Sequence, residues 1–386
     1  MAATVSVMAG IPELNAGFYW RARFTLMDPC ALVEVKDGAT TRTTLIVRDI
    51  EMERARAHAK ADEIKCPRDF APAAGLSGDR EIATAQALTE CVKRTGARTV
   101  RADRSLPLVY ADELRRGGIT VELDCDMAVL ARRSKDEQEI GWLHEAQRVT
   151  EEAMRMACEM VARAEAGADG TLRSGGSALT CEGLRERIAL FLTGKGYEAP
   201  ASIVAGGPQG SDCHERGSGA LRTSEPVIID IFPRNRATLY NGDCTRTVVH
   251  GAIPPEVARM HDAVAQAKRA AIAATCAGAS GDAVHRATVV SLEQSGYPFN
   301  SGGPPAGAPR SWCGLVHGTG HGVGISVHEA PLLDFKGVPL LVGDCVTIEP
   351  GLYCQAIGGI RLEDMVVVTA DGARNLNSLP EGLSWK

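Results

Sequence analysis

The run VIIDIF, Val227–Phe232, sets an aspartate inside an apolar, β-forming stretch. Its neighbours bury such a carboxylate, and aspartate is among the residues least often buried without a partner or a metal. Three more acids occupy similar settings: Asp243 in DCTRTVV, Glu349 in TIEPGLY and Glu363 in IRLEDMVVVT. They fall in two matched strand pairs, each acid at or near the centre of its strand, with Asp230 and Asp243 thirteen residues apart and Glu349 and Glu363 fourteen apart. Each pair follows two predicted helices and a Gly-Tyr dipeptide, Gly196-Tyr197 and Gly296-Tyr297, so the region reads as a duplicated helix–helix–hairpin unit. Were the four acids to converge, two carboxylates about 4 Å apart would repel by about 4 kcal/mol at an effective dielectric near 20. Two divalent cations would balance the four negative charges.

A fifth ligand is offered by HGTGHGVGISVHEAP, His317–Pro331, which packs three histidines among four glycines. Glycine lets the backbone approach a metal where a side chain would obstruct it. The stretch has no GxGxxG register, and neither HERGS nor HEAPL supplies the second histidine of an HExxH helix, so nucleotide loops and single-zinc helices are set aside. His321 beside the four carboxylates completes a five-ligand, two-metal set.

The first third is organised differently. CALVEV, TTLIVRDI, ARTVRAD and ITVELD read as strands, and EMERARAHAKADEI and EIATAQALTECVKR as helices, an α/β pattern without clustered ligands. A boundary is expected at Arg133, giving domains 1–133 and 134–386. Ser134 with Glu137 reads as a capping box opening a long amphipathic helix whose stripe runs through Leu143, Ala146, Val149, Ala153, Ala157 and Met160. The net charge of -6 and 4% aromatic content give no nucleic-acid or membrane surface. Twelve cysteines without a CxxC pair, together with the absence of a basic n-region ahead of an apolar stretch, lead us to expect a cytoplasmic protein.

VIIDIF, DCTRTVV, HGTGHGVGISVHEAP, TIEPGLY and GIRLED, in that order, resemble the pita-bread metallopeptidases of family M24, and most of all the Xaa-Pro peptidases (prolidase and aminopeptidase P). The likeness runs from about Ser134 to the C-terminus; the first third resembles the family's creatinase-like N-terminal domain by pattern and position only. The fold class implied is α/β (α+β), with a C-terminal domain built from two pseudo-symmetric halves. The resemblance implies that Asp230 binds one metal, that Asp243 and Glu363 bridge both, and that His321 and Glu349 bind the second. Glu349 would also take a proton from the attacking water, while His328 and His214 would contact substrate, His328 steadying the oxyanion. His317 would line the pocket or hold the loop by hydrogen bonds, Arg361 would orient an acid or a histidine, and Thr245 would donate a hydrogen bond to the ligand oxygens.

The mainly hard-oxygen ligand set favours two Mn2+ ions, with Co2+, Zn2+ or Fe2+ as alternatives. Short proline-containing peptides and a homodimer are the partners the resemblance implies. The Asp230–Asp243 spacing is two residues longer than is usual in the family, which would lengthen the hairpin tip PRNRATLYN and preserve facing. Two other readings are a same-fold, metal-dependent hydrolase or lyase of a small non-peptide amide or osmolyte, and a non-catalytic peptide-binding module. Methionine aminopeptidase shares the catalytic fold but normally lacks the large N-terminal domain.

Overall fold

Alternation of side chains along Thr4–Gly10, Cys30–Asp37 and Thr40–Ile46 serves two apolar faces at once. Val5, Val7, Ala31, Val33 and Ile46 pack with Leu88, Val92, Tyr110 and Leu114, while Met8, Leu32 and Leu45 pack with Phe18 and Ala22. A sheet buried on both faces needs such double-sided strands. In the computed structural model, which describes residues 3–385, the chain divides into two compact units, 1–132 and 133–386. The first holds a six-stranded mixed sheet in the order 63–65, 40–46, 30–37, 4–10, 99–102, 120–123. Thr4–Gly10, which the sequence reading left unassigned, is a central strand, antiparallel to Cys30–Asp37 and parallel to Thr99–Ala102. The helix expected over EMERARAHAKADEI is only Met52–His58, because Glu63–Lys65 leaves it to pair with Thr44–Ile46.

In the second unit the long helix spans Glu137–Ala162, and its cap differs from the one expected. Asp136, not Ser134, is the N-cap, and Glu139 closes the capping box. The reason is tertiary: the Lys135 N–H is drawn to Gly343 O, and the Arg133 guanidinium forms a buried pair with Asp344, so the chain is pinned to that turn and the helix begins later. Arg133 thereby belongs to the second unit rather than closing the first. Along the helix Leu143, Ala146, Val149, Ala153 and Ala157 are buried and Met160 is half-buried. Each large apolar side chain so buried contributes about 1.5–3 kcal/mol.

Both halves of this unit repeat one device. The helices Cys181–Gly194 and Gly281–Gln294 are each followed by a left-handed glycine, Gly196 at φ 86° and Gly296 at φ 87°. These are the glycines of the two Gly-Tyr dipeptides, and they act as helix stops. The strands that follow form a three-stranded sheet (203–206, 226–231, 244–249), a second one (313–314, 351–354, 358–361), and a five-stranded sheet in the order 329–333, 320–322, 345–348, 364–368, 373–375. The halves are stitched together where Glu363 N–H donates to Thr245 O and Arg361 N–H donates to the Thr247 hydroxyl.

Candidate metal centre

Of the four acids only Asp230 lies within a strand; the others sit at strand ends, not at strand centres as expected. There their main chains are held from outside the ladder. Asp230, on Pro226–Ile231, is paired with Thr245, and Asp243 stands two residues before Thr245 and shares its face. The Asp243 main chain is gripped by Gln147 of the long helix, whose Oε1 accepts the Asp243 N–H at 2.8 Å and whose Nε2 donates to Asp243 O at 2.7 Å. Gly242 makes this approach possible, since a Cβ there would fall 2.2 Å from Thr150 Oγ1. Glu349 follows Cys345–Ile348 and donates its N–H to Thr319 O at 2.8 Å.

His321 sits on the short strand Gly320–Gly322, whose glycines are required by close packing: a Cβ on Gly322 would meet Ala330 O at 2.4 Å. The extra residues of the 231–244 loop do not form a free tip. Arg234–Asn235 pairs with Tyr197–Glu198, and Asn241 Nδ2 donates to Gly324 O and Ile325 O.

These placements bring the five ligand candidates together. Ligand atoms of Asp243, His321 and Glu363 lie within 4.8 Å of one another. His321 Nε2 is 3.4 Å from Glu349 Oε1 and 3.8 Å from Asp243 Oδ2. Asp230 is near enough for its charge to raise the proton affinity of Asp243, Glu349 and Glu363 alike. Burial, reinforced by this mutual repulsion, pushes Asp243 and Glu363 well above the usual carboxylate range. Burial likewise pushes Glu349 up to about 7, although Arg361 pulls the other way. Burial lowers the proton affinity of His321 and so favours the neutral imidazole that a metal requires.

Among the described residues lining the cavity Arg361 is the one arginine, and it is already engaged: Nη2 donates to Asp230 Oδ2 at 2.7 Å and Nε to Thr245 Oγ1 at 3.2 Å. Thr245 in turn donates to Glu363 Oε2 at 2.7 Å. Asp230 Oδ1 remains buried with no hydrogen-bond partner. Four carboxylates, one fixed cation, a neutral imidazole and an orphaned buried oxygen fit a site for divalent metal ions.

The centre opens into a cavity of about 420 Å3 that His214, His317 and His328 also line. The His328 ring stands edge-on to His321, with centroids 4.2 Å apart, and His214 is exposed at the lip. His317 is fixed by Tyr353, whose hydroxyl is 2.7 Å from Nε2, and by Gly318 O at 2.7 Å from Nδ1. Burial, with Arg361 adding to it, pushes His317 down to about 3. Tyr353, which also accepts from Arg361 Nη1 at 3.0 Å, was not singled out from the sequence, nor was Gln147. A signal for Gln147 existed: it follows Leu143 by four on the apolar stripe, and a glutamine there needs a buried partner.

A model of metallopeptidase family M24 matches residues 142–370. The chain belongs to metallopeptidase family M24. Xaa-Pro aminopeptidase 1 of Streptomyces coelicolor is 32% identical over 284 residues, covering 67% of this chain and 55% of that protein. A probable dipeptidase PepE of Mycobacterium tuberculosis is 33% identical over 199 residues, covering 51% of this chain and 49% of that protein. The chain therefore spans about half the length of these curated relatives. Among solved structures, this M24 protein resembles the prolidase from Pyrococcus horikoshii OT3 with a TM-score of 0.76 at 21% identity, over 98% of this chain and 95% of that one. It resembles the X-Pro aminopeptidase from Thermotoga maritima MSB8 with a TM-score of 0.77 at 21% identity, over 98% and 96%. These likenesses establish the pita-bread fold. No helix among the described residues is long and apolar enough to cross a membrane.

Proposed function

We propose that this M24 protein hydrolyses the bond between an N-terminal residue and proline in short peptides, as an Xaa-Pro dipeptidase or aminopeptidase. The convergence of Asp230, Asp243, His321, Glu349 and Glu363 at the floor of one cavity carries the reading. Those five residues would hold two divalent ions, and the hard-oxygen donor set favours manganese. Ions held there supply Lewis-acid polarisation of the scissile carbonyl and activation of a water.

The side chains do the rest. Glu349 accepts the proton of the attacking water. His328, at the cavity mouth beside His321, donates a hydrogen bond to the developing oxyanion. Arg361 holds Asp230 in place and, through Thr245, fixes the Glu363 carboxylate. His317, kept neutral, and His214 orient the substrate. Unit 1–132 is proposed to be a creatinase-like domain, and the working form a cytoplasmic homodimer; the free thiols along the chain suit a reducing compartment.

The test is hydrolysis of an Xaa-Pro dipeptide and an Xaa-Pro-Yaa tripeptide by protein stripped of metal and reloaded with manganese, beside Asp243→Asn. Metal-dependent cleavage lost in Asp243→Asn supports the proposal. Binding of two ions per chain with neither peptide cut overturns the proline assignment and directs attention to small non-peptide amides.

A further inference from the structure

The cavity contains one acid outside the ligand set. Asp334 lies just past the strand Glu329–Leu333 and lines the same cavity. Register places it: His321 is opposite Leu332 and Gly320 opposite Leu333, and Thr319 N–H donates to Leu333 O at 2.7 Å. Leu332 and Asp334 both line the cavity, so Asp334 stands two residues, about 7 Å, along the strand direction from the level of ligand His321. Gly318 gives it room, since a Cβ there would meet the Asp334 carboxyl at 3.2 Å.

This carboxylate is not neutralised by its neighbours. Oδ1 accepts the Phe335 N–H at 2.7 Å, and His285 Nε2 lies 3.6 Å away. His285 is fully buried, its Nδ1 is 2.9 Å from the Thr319 hydroxyl, its ring is packed edge-on to Phe299 and Phe335, and burial keeps it neutral. Arg286, on the same helix as His285, is paired with Asp282. Within the cavity lining the single arginine, Arg361, is bound to Asp230. A substrate group reaching this end of the cavity therefore meets an uncompensated negative charge, partly exposed and with an apolar neighbour in Leu332.

We propose that Asp334 biases the site towards peptides that carry a cationic side chain within about two residues of the scissile bond, and against those that carry an acidic side chain there. The inference rests on the peptidase reading for its choice of substrates, but its electrostatic content can be read without turnover.

The experiment compares kcat/KM of manganese-loaded protein and Asp334→Asn on Ala-Pro-Ala-amide, Lys-Pro-Ala-amide, Ala-Pro-Lys-amide and Ala-Pro-Glu-amide. The affinities of non-cleavable analogues, with the scissile bond reduced, are measured in parallel by calorimetry. For an ion pair at a partly exposed carboxylate, one lysine peptide should exceed Ala-Pro-Ala-amide, the peptide with neutral side chains, by about two- to fivefold, with the glutamate peptide below it. In Asp334→Asn the lysine-to-neutral and glutamate-to-neutral ratios should both move towards one. Ratios that are the same in both proteins overturn the proposal, including the case where Asp334→Asn slows every peptide equally. If no peptide is cut, the proline-peptidase reading fails, while the analogue affinities still show or deny the charge preference. Analogues that all fail to bind overturn both.

Discussion

Replacing Gln147 with leucine should loosen the centre without touching a ligand. Gln147 is fully buried and keeps the helix and the Asp243 main chain in register through two hydrogen bonds, with a third to Asn377 Oδ1 at 2.9 Å. Leucine matches its volume, so no large cavity opens. Two main-chain groups of Asp243 lose their partners in a place water does not reach. Each buried unsatisfied group costs about 1–3 kcal/mol, which predicts a total of about 2–6 kcal/mol. Asn377 Oδ1 retains its bond from Met365 N–H and adds little to the loss. Urea unfolding of the metal-free protein, followed by fluorescence, reads this, because three of the four tryptophans, Trp142, Trp312 and Trp385, lie in residues 133–386. Metal titration of the folded variant should also show weakened binding, since the Asp243 carboxylate hangs from the freed main chain. A cost under about 0.5 kcal/mol together with unchanged metal affinity would refute the positioning role, given the usual penalty for such groups.

Two further expectations follow from buried charge. In the metal-free protein Asp243 and Glu363 hold protons well above the usual range and Glu349 titrates at about 7, so loading at pH 7 should displace at least about one proton per chain and metal affinity should rise with pH. The same raised values make the metal-free fold lose stability as pH climbs from the ordinary value of 4.5 through about 7. Calorimetry in two buffers of different ionisation enthalpy checks the first point, and equal heats would sink it. Separately, the Lys135–Glu329 ion pair is 2.8 Å long with side chains 1% and 4% exposed, and it anchors the residue next to His328. Lys135→Met alone should cost about 3–5 kcal/mol by removing the cation paired with the buried Glu329 carboxylate, and adding Glu329→Leu should return much of it. A single-variant cost below about 1 kcal/mol in denaturant unfolding would contradict a buried, paired lysine.

Residue type and spacing by themselves determined a good deal of this molecule. Four acids in apolar β-forming runs, repeated in two halves, pointed to a charge problem that only cations solve, because burying a carboxylate alone is prohibitive whatever the fold. The Gly-Tyr pairs marked both helix ends, since a left-handed stop is a local preference of glycine. Tertiary structure decided what depends on partners distant in sequence. It put three of the four acids at strand ends and moved the helix cap to Asp136, because the segment before it is tied to the turn at Gly343. Thr4–Gly10 became a central strand because its two neighbours, Cys30–Asp37 and Thr99–Ala102, complete its hydrogen bonds from positions no local pattern reveals. Gln147, Tyr353 and Asp334 gained their roles in the same way: hydrogen bonds and electrostatic fields act through a few ångströms of space, and which groups share that space is settled only when the chain has folded.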